Sequence, residues 1–145
     1  NISISNVTLF MNPEDAKDKR AIDAIRIEGV NSLKIRELKI DWSEKETEEK
    51  WQSALALKRI SDLVISSFSG RQGLIDGKHA AITLEDVSDV VIRDSRASEN
   101  TNSFIYLRGS NNKDITLRYN NTKKAKHEIT FSHEGLRKSV SIVKA

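Results

Sequence analysis

The chain has 145 residues, enough for one domain, and its 37% apolar and 31% charged residues exclude a disordered polymer. It has no cysteine, which rules out a disulfide scaffold and a thiolate metal site, and no apolar run is long enough for a membrane-spanning helix. The net charge of +3 is mild, and its late cations, among them Lys123, Lys124, Lys126, Arg137 and Lys138, come with neither interleaved aromatics nor a recognisable motif. No nucleic-acid or membrane partner is therefore expected. The three histidines, His79, His127 and His133, lack zinc-motif spacing, so neither metal nor cofactor is expected.

Taken in order, the chain repeats itself. Ile2, Ile4, Val7 and Leu9 match Leu33, Ile35, Leu38 and Ile40, so the chain starts in the second half of a repeat. Met11 to Asp23 is polar and holds the only proline, Pro13, which predicts a loop with one helical turn at most. Ala24 to Ile40 is a full copy, with Ile25, Ile27, Val30, Leu33, Ile35 and Leu38 alternating as in strands buried on one side. Trp42 to Trp51 encloses an acidic excursion. Ala54 to Gly70 repeats the pattern, a glycine-marked loop follows from Ser69 to Ala80, and Ala81 to Ser98 repeats it again. The fourth copy carries Ile105, Leu107, Ile115 and Leu117; the fifth carries Ile129, Phe131, Val140 and Ile142. Glu99 to Ser103 and Lys123 to His127 read as shorter returns.

Inner positions of the two strands lie eight residues apart in three copies (27 to 35, 57 to 65, 84 to 92). The leucine-rich pattern is missing, and so is a helical period. What remains is an all-β, single-stranded, right-handed parallel β-helix of about five coils. Ile25, Leu55, Ile82, Ile105 and Ile129 should then stack as one inner ladder, and Ile35, Ile65, Ile92, Leu117 and Ile142 as another. A short third strand is expected at Leu38–Ile40, Phe68–Gly70, Ser95–Ala97 and Asn120–Thr122. The longer loops all fall at one place in the repeat, which keeps insertions on one side of a solenoid.

Few residues invite chemistry. One outward column reads Glu28, Lys58, Glu85, Arg108. As structure it is an ion ladder along a parallel sheet. As catalysis it would make Glu28 and Glu85 an acid–base pair about 9–10 Å apart. Lys58 between them favours ionisation of both, whereas a general acid needs a raised pKa, so the ladder is the better reading and no catalytic residue is assigned. Trp42 and Trp51 either cover the coil or stack on a sugar ring. Arg71, Gln72, Lys78 and His79 are either loop-surface residues or hydrogen-bond donors to carboxylates and hydroxyls. These six are the candidate substrate-binding residues.

The repeats, with Trp51-Gln-Ser-Ala-Leu and Phe68-Ser-Gly-Arg-Gln-Gly-Leu, resemble the late coils of bacterial proteins similar to glycoside hydrolase family 28, the polygalacturonase-type, pectin-lyase-like β-helices. That resemblance implies inverting hydrolysis of pectic polysaccharides through aspartates on Asn-Thr-Asp, Asp-Asp, Gly-His-Gly and Arg-Ile-Lys motifs. The first three are not in the sequence, and Arg26-Ile27-Glu28 departs from the last by its glutamate. The resemblance therefore implies a non-catalytic C-terminal segment, residues 1–145, of a longer polysaccharide-active hydrolase, bacterial and secreted or periplasmic. Its expected partners are a pectic polysaccharide, upstream coils of the same chain, and a second copy at an open N-terminal end. The rival reading is a carbohydrate-binding or adhesive β-helix without catalysis.

Overall fold

A computed structural model describes residues 1–12, 20–43 and 49–144. Eleven strands are found among them: β1 (Ile2–Met11), β2 (Ile25–Trp42), β3 (Leu55–Ser66), β4 (Ser69–Gly70), β5 (Ala80–Glu85), β6 (Ser88–Arg93), β7 (Arg96–Ala97), β8 (Thr101–Arg108), β9 (Lys113–Arg118), β10 (Ala125–Phe131) and β11 (Val140–Val143). Every pairing is parallel and joins neighbouring coils. The chain is a parallel β-solenoid of about five turns.

Three faces follow from the registers. The first stacks the start of β2, the start of β3, β5, β8 and β10. On the second lie the start of β1, the middle of β2, the end of β3, then β6, β9 and β11. The ends of β1 and β2, with β4 and β7, make the third, which continues through a bridge from Arg96 to Asn121. The expected inner columns stack rung on rung: Ile25, Leu55, Ile82, Ile105 and Ile129 on the first face, and Ile35, Ile65, Ile92, Leu117 and Ile142 on the second. Aliphatics of similar shape on successive rungs interdigitate at crystal-like density, and Leu55, Ile65, Ile82 and Ile105 are wholly buried.

A coil turns where single residues take the left-handed conformation. Arg59 and Asp86 do so between the first and second faces, in line with Gly29 and Gly109. Ser32, Asp62, Asp89 and Asp114 do so three to five residues later, and Asn6, Glu37, Ser67, Asp94 and Tyr119 at the next corner. Aspartate, asparagine and glycine tolerate this region best, which explains their recurrence there. Side chains then replace ladder bonds at the bends. Ser95 Oγ accepts the Phe68 N–H at 3.0 Å, and Asn120 Oδ1 accepts the Ser95 N–H at 2.9 Å. Asn112 Oδ1 accepts the Val87 N–H at 3.0 Å. The fourth coil's wider spacing is absorbed here, where Asp86 accepts the Asn111 N–H at 3.0 Å.

Three features differ from the sequence reading. β8 and β10 begin at Thr101 and Ala125, so the returns before them are shorter than expected. A 3-10 turn, Glu134–Ser139, tucks Leu136 against the core beside the last rung; one apolar residue in a charged stretch gave no period to detect it by. At the other end Ile2, Val7 and Phe10 of β1 are exposed, Phe10 by 62%. The expected Met11–Asp23 cover and the excursion after Trp42 fall largely on residues 13–19 and 44–48, outside the described residues.

Ile92 is 0% exposed and sits between Ile65 and Leu117. Ile92→Asp buries an unpaired carboxylate at a cost of several kcal/mol, comparable to the whole stability of a small domain. Circular dichroism should show no cooperative thermal transition for this variant; a normal one would contradict the stacked core.

Candidate functional site

The first face carries a groove of about 520 Å³ on its outer side. Its floor is made by side chains that alternate outward along successive strands: Arg26 from β2, Lys58 from β3, Thr83 and Glu85 from β5, Tyr106 and Arg108 from β8, and Thr130 from β10. Its wall comes from Asp23, Gln52, Lys78 and His79, in the segments leading into those strands, and from Asn102 and His127 near the starts of β8 and β10. Arg26, Lys58, Lys78 and Arg108 face two carboxylates, Asp23 and Glu85, so positive charge prevails.

The outward column is in the expected register, Glu28 beside Lys58, Lys58 beside Glu85, Glu85 beside Arg108. Its pairing is only partly the ladder expected. Lys58 Nζ lies 3.1 Å from Glu85 Oε2, and Arg108 Nε bonds Glu85 Oε1. Glu28, however, turns to Arg26 at 3.0 Å and Arg59 at 3.1 Å instead of Lys58. Burial works against ionisation of the Glu85 carboxyl, but the bonds from Lys58 and Arg108 outweigh it and hold its pKa below the ordinary glutamate value. Asp23 goes the other way. Burial pushes its carboxyl above the usual aspartate range, against the Ser53 N–H it accepts at 2.8 Å and the charges of Arg26, Arg108 and His79.

One carboxyl inclined to keep its proton and another held ionised are the ingredients of glycoside cleavage. Asp23 belongs to the groove's wall and Glu85 to its floor. The Asp23 carboxyl is fixed at the Ser53 N–H, five residues before Lys58, the register neighbour of Glu85. Five strand residues span about 16 Å of backbone, and the charge of Arg108, which bonds Glu85, still reaches Asp23.

The six sequence candidates divide into two groups. Trp42 and Trp51 are buried, 4% and 7% exposed, and meet edge to face with ring centroids 5.6 Å apart. Neither offers a flat face for a sugar, because the loop after Gly70 folds over both. Gly73 passes so close that a Cβ there would meet Trp51 Cβ at 2.7 Å and Trp42 Cη2 at 3.1 Å. Arg71 is buried and donates to the carbonyls of Gln72 and, more weakly, Gly73 and Trp42. Its own carbonyl accepts the Trp42 indole N–H at 3.0 Å.

Gln72, also buried, is a staple. Its amide donates to the carbonyls of Asn100 at 2.7 Å and Leu74 at 2.9 Å, and its Oε1 accepts the Asn102 N–H at 2.9 Å. Asn102 in turn donates to the His79 carbonyl at 3.1 Å. These four residues therefore fix the loop whose end presents Lys78 and His79, both exposed, to the groove. Arg26, Asn102, Tyr106, Arg108 and His127 were missed as groove residues because only the register brings them together. Alternation outward from the inner columns was the signal that could have found the strand members. Among the described residues no three histidine, aspartate or glutamate side chains gather as a metal site.

Gln72→Leu should cost about 1–3 kcal/mol by denaturant unfolding, because it takes the partner from the part-buried Asn102 N–H and breaks the bonds to the Asn100 and Leu74 carbonyls. Asp23→Asn should act with the opposite sign at neutral pH. A carboxyl whose folded pKa is raised favours the fold below its unfolded pKa, and that advantage is lost as pH rises through the folded value. The asparagine can still accept from Ser53 without the buried charge, so its gain over the parent should be largest above that window and vanish in acid. Comparison with protein-family models, with curated proteins and with solved structures finds no match.

Proposed function

We propose that the first face binds a segment of an acidic polysaccharide without cleaving it, as a non-catalytic C-terminal segment of a bacterial, secreted or periplasmic hydrolase of polygalacturonase type. The observation that carries the binding is the groove itself: Arg26, Lys58, Lys78 and Arg108 with Tyr106, on a floor of five rungs. A chain of uronates presents carboxylates to such cations and the apolar face of a ring to the tyrosine. Asn102, Thr83 and Thr130 supply polar partners for hydroxyls. The hydrolase parent and its compartment rest on the resemblance of the repeats and of the two short runs around Trp51 and Phe68.

Calorimetric titration with an oligogalacturonate should show salt-sensitive binding, and a neutral galactan of equal length should not bind. Lys78→Ala/His79→Ala, which removes exposed wall residues, should weaken it about fivefold, close to 1 kcal/mol. No reducing ends should appear. Equal binding of the neutral glycan, or no binding of either, would end the proposal. Sugar release abolished by Glu85→Gln would replace binding with catalysis.

A further inference from the structure

The second face has a charge pattern unlike the first. Its exposed cations include Lys34 and Arg36 of β2, Arg93 of β6 and Arg118 of β9. Its acids take the left-handed conformation, Asp89 within β6, Asp114 within β9 and Asp94 just after β6. Arg93 and Arg118 are direct register neighbours on adjacent strands, about 4.8 Å apart at the backbone. Like charges so placed repel, and each leans on a local partner. Arg93 reaches Asp94 at 2.9 Å, and Arg118 lies over the Tyr119 ring at 5.4 Å from its centroid.

At the other end of the same strands is a depression of about 280 Å³. Lys113 and Lys138 line it, with the hydroxyls of Thr116 and Ser141, themselves register neighbours; Asp114 is its one acid. Among the described residues neither lysine has an ion pair. Two lysines, two hydroxyls and two arginines thus run in line across β6, β9 and β11 and the 3-10 turn over roughly 16 Å.

We infer that this second face is a separate binding site for a sulfated polysaccharide. Arginine and lysine grip tetrahedral oxyanions through charge-assisted bonds, and the arginine fork can do so in pairs. A row of cations on an extended strand surface suits a linear polymer with closely spaced anions. Nucleic acid fits less well: the outward strand positions offer no aromatic platform for bases, and Tyr119, at the corner, already lies against Arg118. The first face, by contrast, interleaves Glu28 and Glu85 among its cations, so the two sites are distinguishable by substitution.

The test titrates the full chain with a sulfated galactan octasaccharide, its neutral desulfated counterpart, and single-stranded DNA of matched charge. The sulfated sugar should bind with an affinity that falls steeply as salt rises. Both Arg93→Ser/Arg118→Ser and Lys113→Gln/Lys138→Gln should weaken it at least about tenfold, while Lys78→Ala/His79→Ala on the first face leaves it unchanged. Should the arginine variant fail to fold, the exposed lysine pair decides. The inference is overturned if the octasaccharide does not bind, if the desulfated sugar or the DNA binds as tightly, or if folded second-face variants bind like the parent.

Discussion

Everything in this molecule depends on rung-to-rung register. A parallel ladder lets each coil satisfy the next one's backbone groups, and its period of two decides which side chains enter the core. A slip by one residue at β6 would put Val91 where Ile92 belongs and bring Arg93 inward. The left-handed corner residues guard against that slip. Because Asp62, Asp89 and Asp114 bend their rungs at the same step, the strands between them have a fixed start. The side-chain bonds from Ser95, Asn112 and Asn120 across neighbouring bends reinforce it.

Register also makes the outer surfaces. Residues far apart in sequence become neighbours at a fixed spacing, so one substitution per repeat sets the character of a whole face. The first face alternates charge and adds a loop wall, which yields a groove. The second holds its aspartates at left-handed positions and sets Arg93 and Arg118 side by side at the ends of β6 and β9. The same backbone thus offers two chemically different surfaces with no change of fold.

The inner columns were legible in the sequence because aliphatic alternation at period two survives every insertion, and the third strand was legible from Leu38–Ile40 and Phe68–Gly70. The groove was legible only in fragments. Lys78 and His79 stand out in a glycine-marked loop, but Tyr106, Arg108 and His127 sit in later repeats and join them only through the stack. The tryptophans misled for a physical reason. An indole is as good a core residue as a platform for a sugar, and what decides is whether a neighbouring loop closes over it. Gly73 decides it here, and a glycine's neighbours cannot be read from a string. Gln72 looked like a ligand donor for a related reason: an amide that can bind hydroxyls can equally bind three backbone groups.

Leu136 has a bearing on how such a stack comes apart. In a one-dimensional array each rung is held by the rungs on either side, so the outermost rung has the fewest bonds and melts first. The 3-10 turn packs Leu136 against the core beside β9, β10 and β11, an apolar contact that belongs to no ladder. The rung of β10 and β11 should therefore open less readily than its ladder bonds alone would allow.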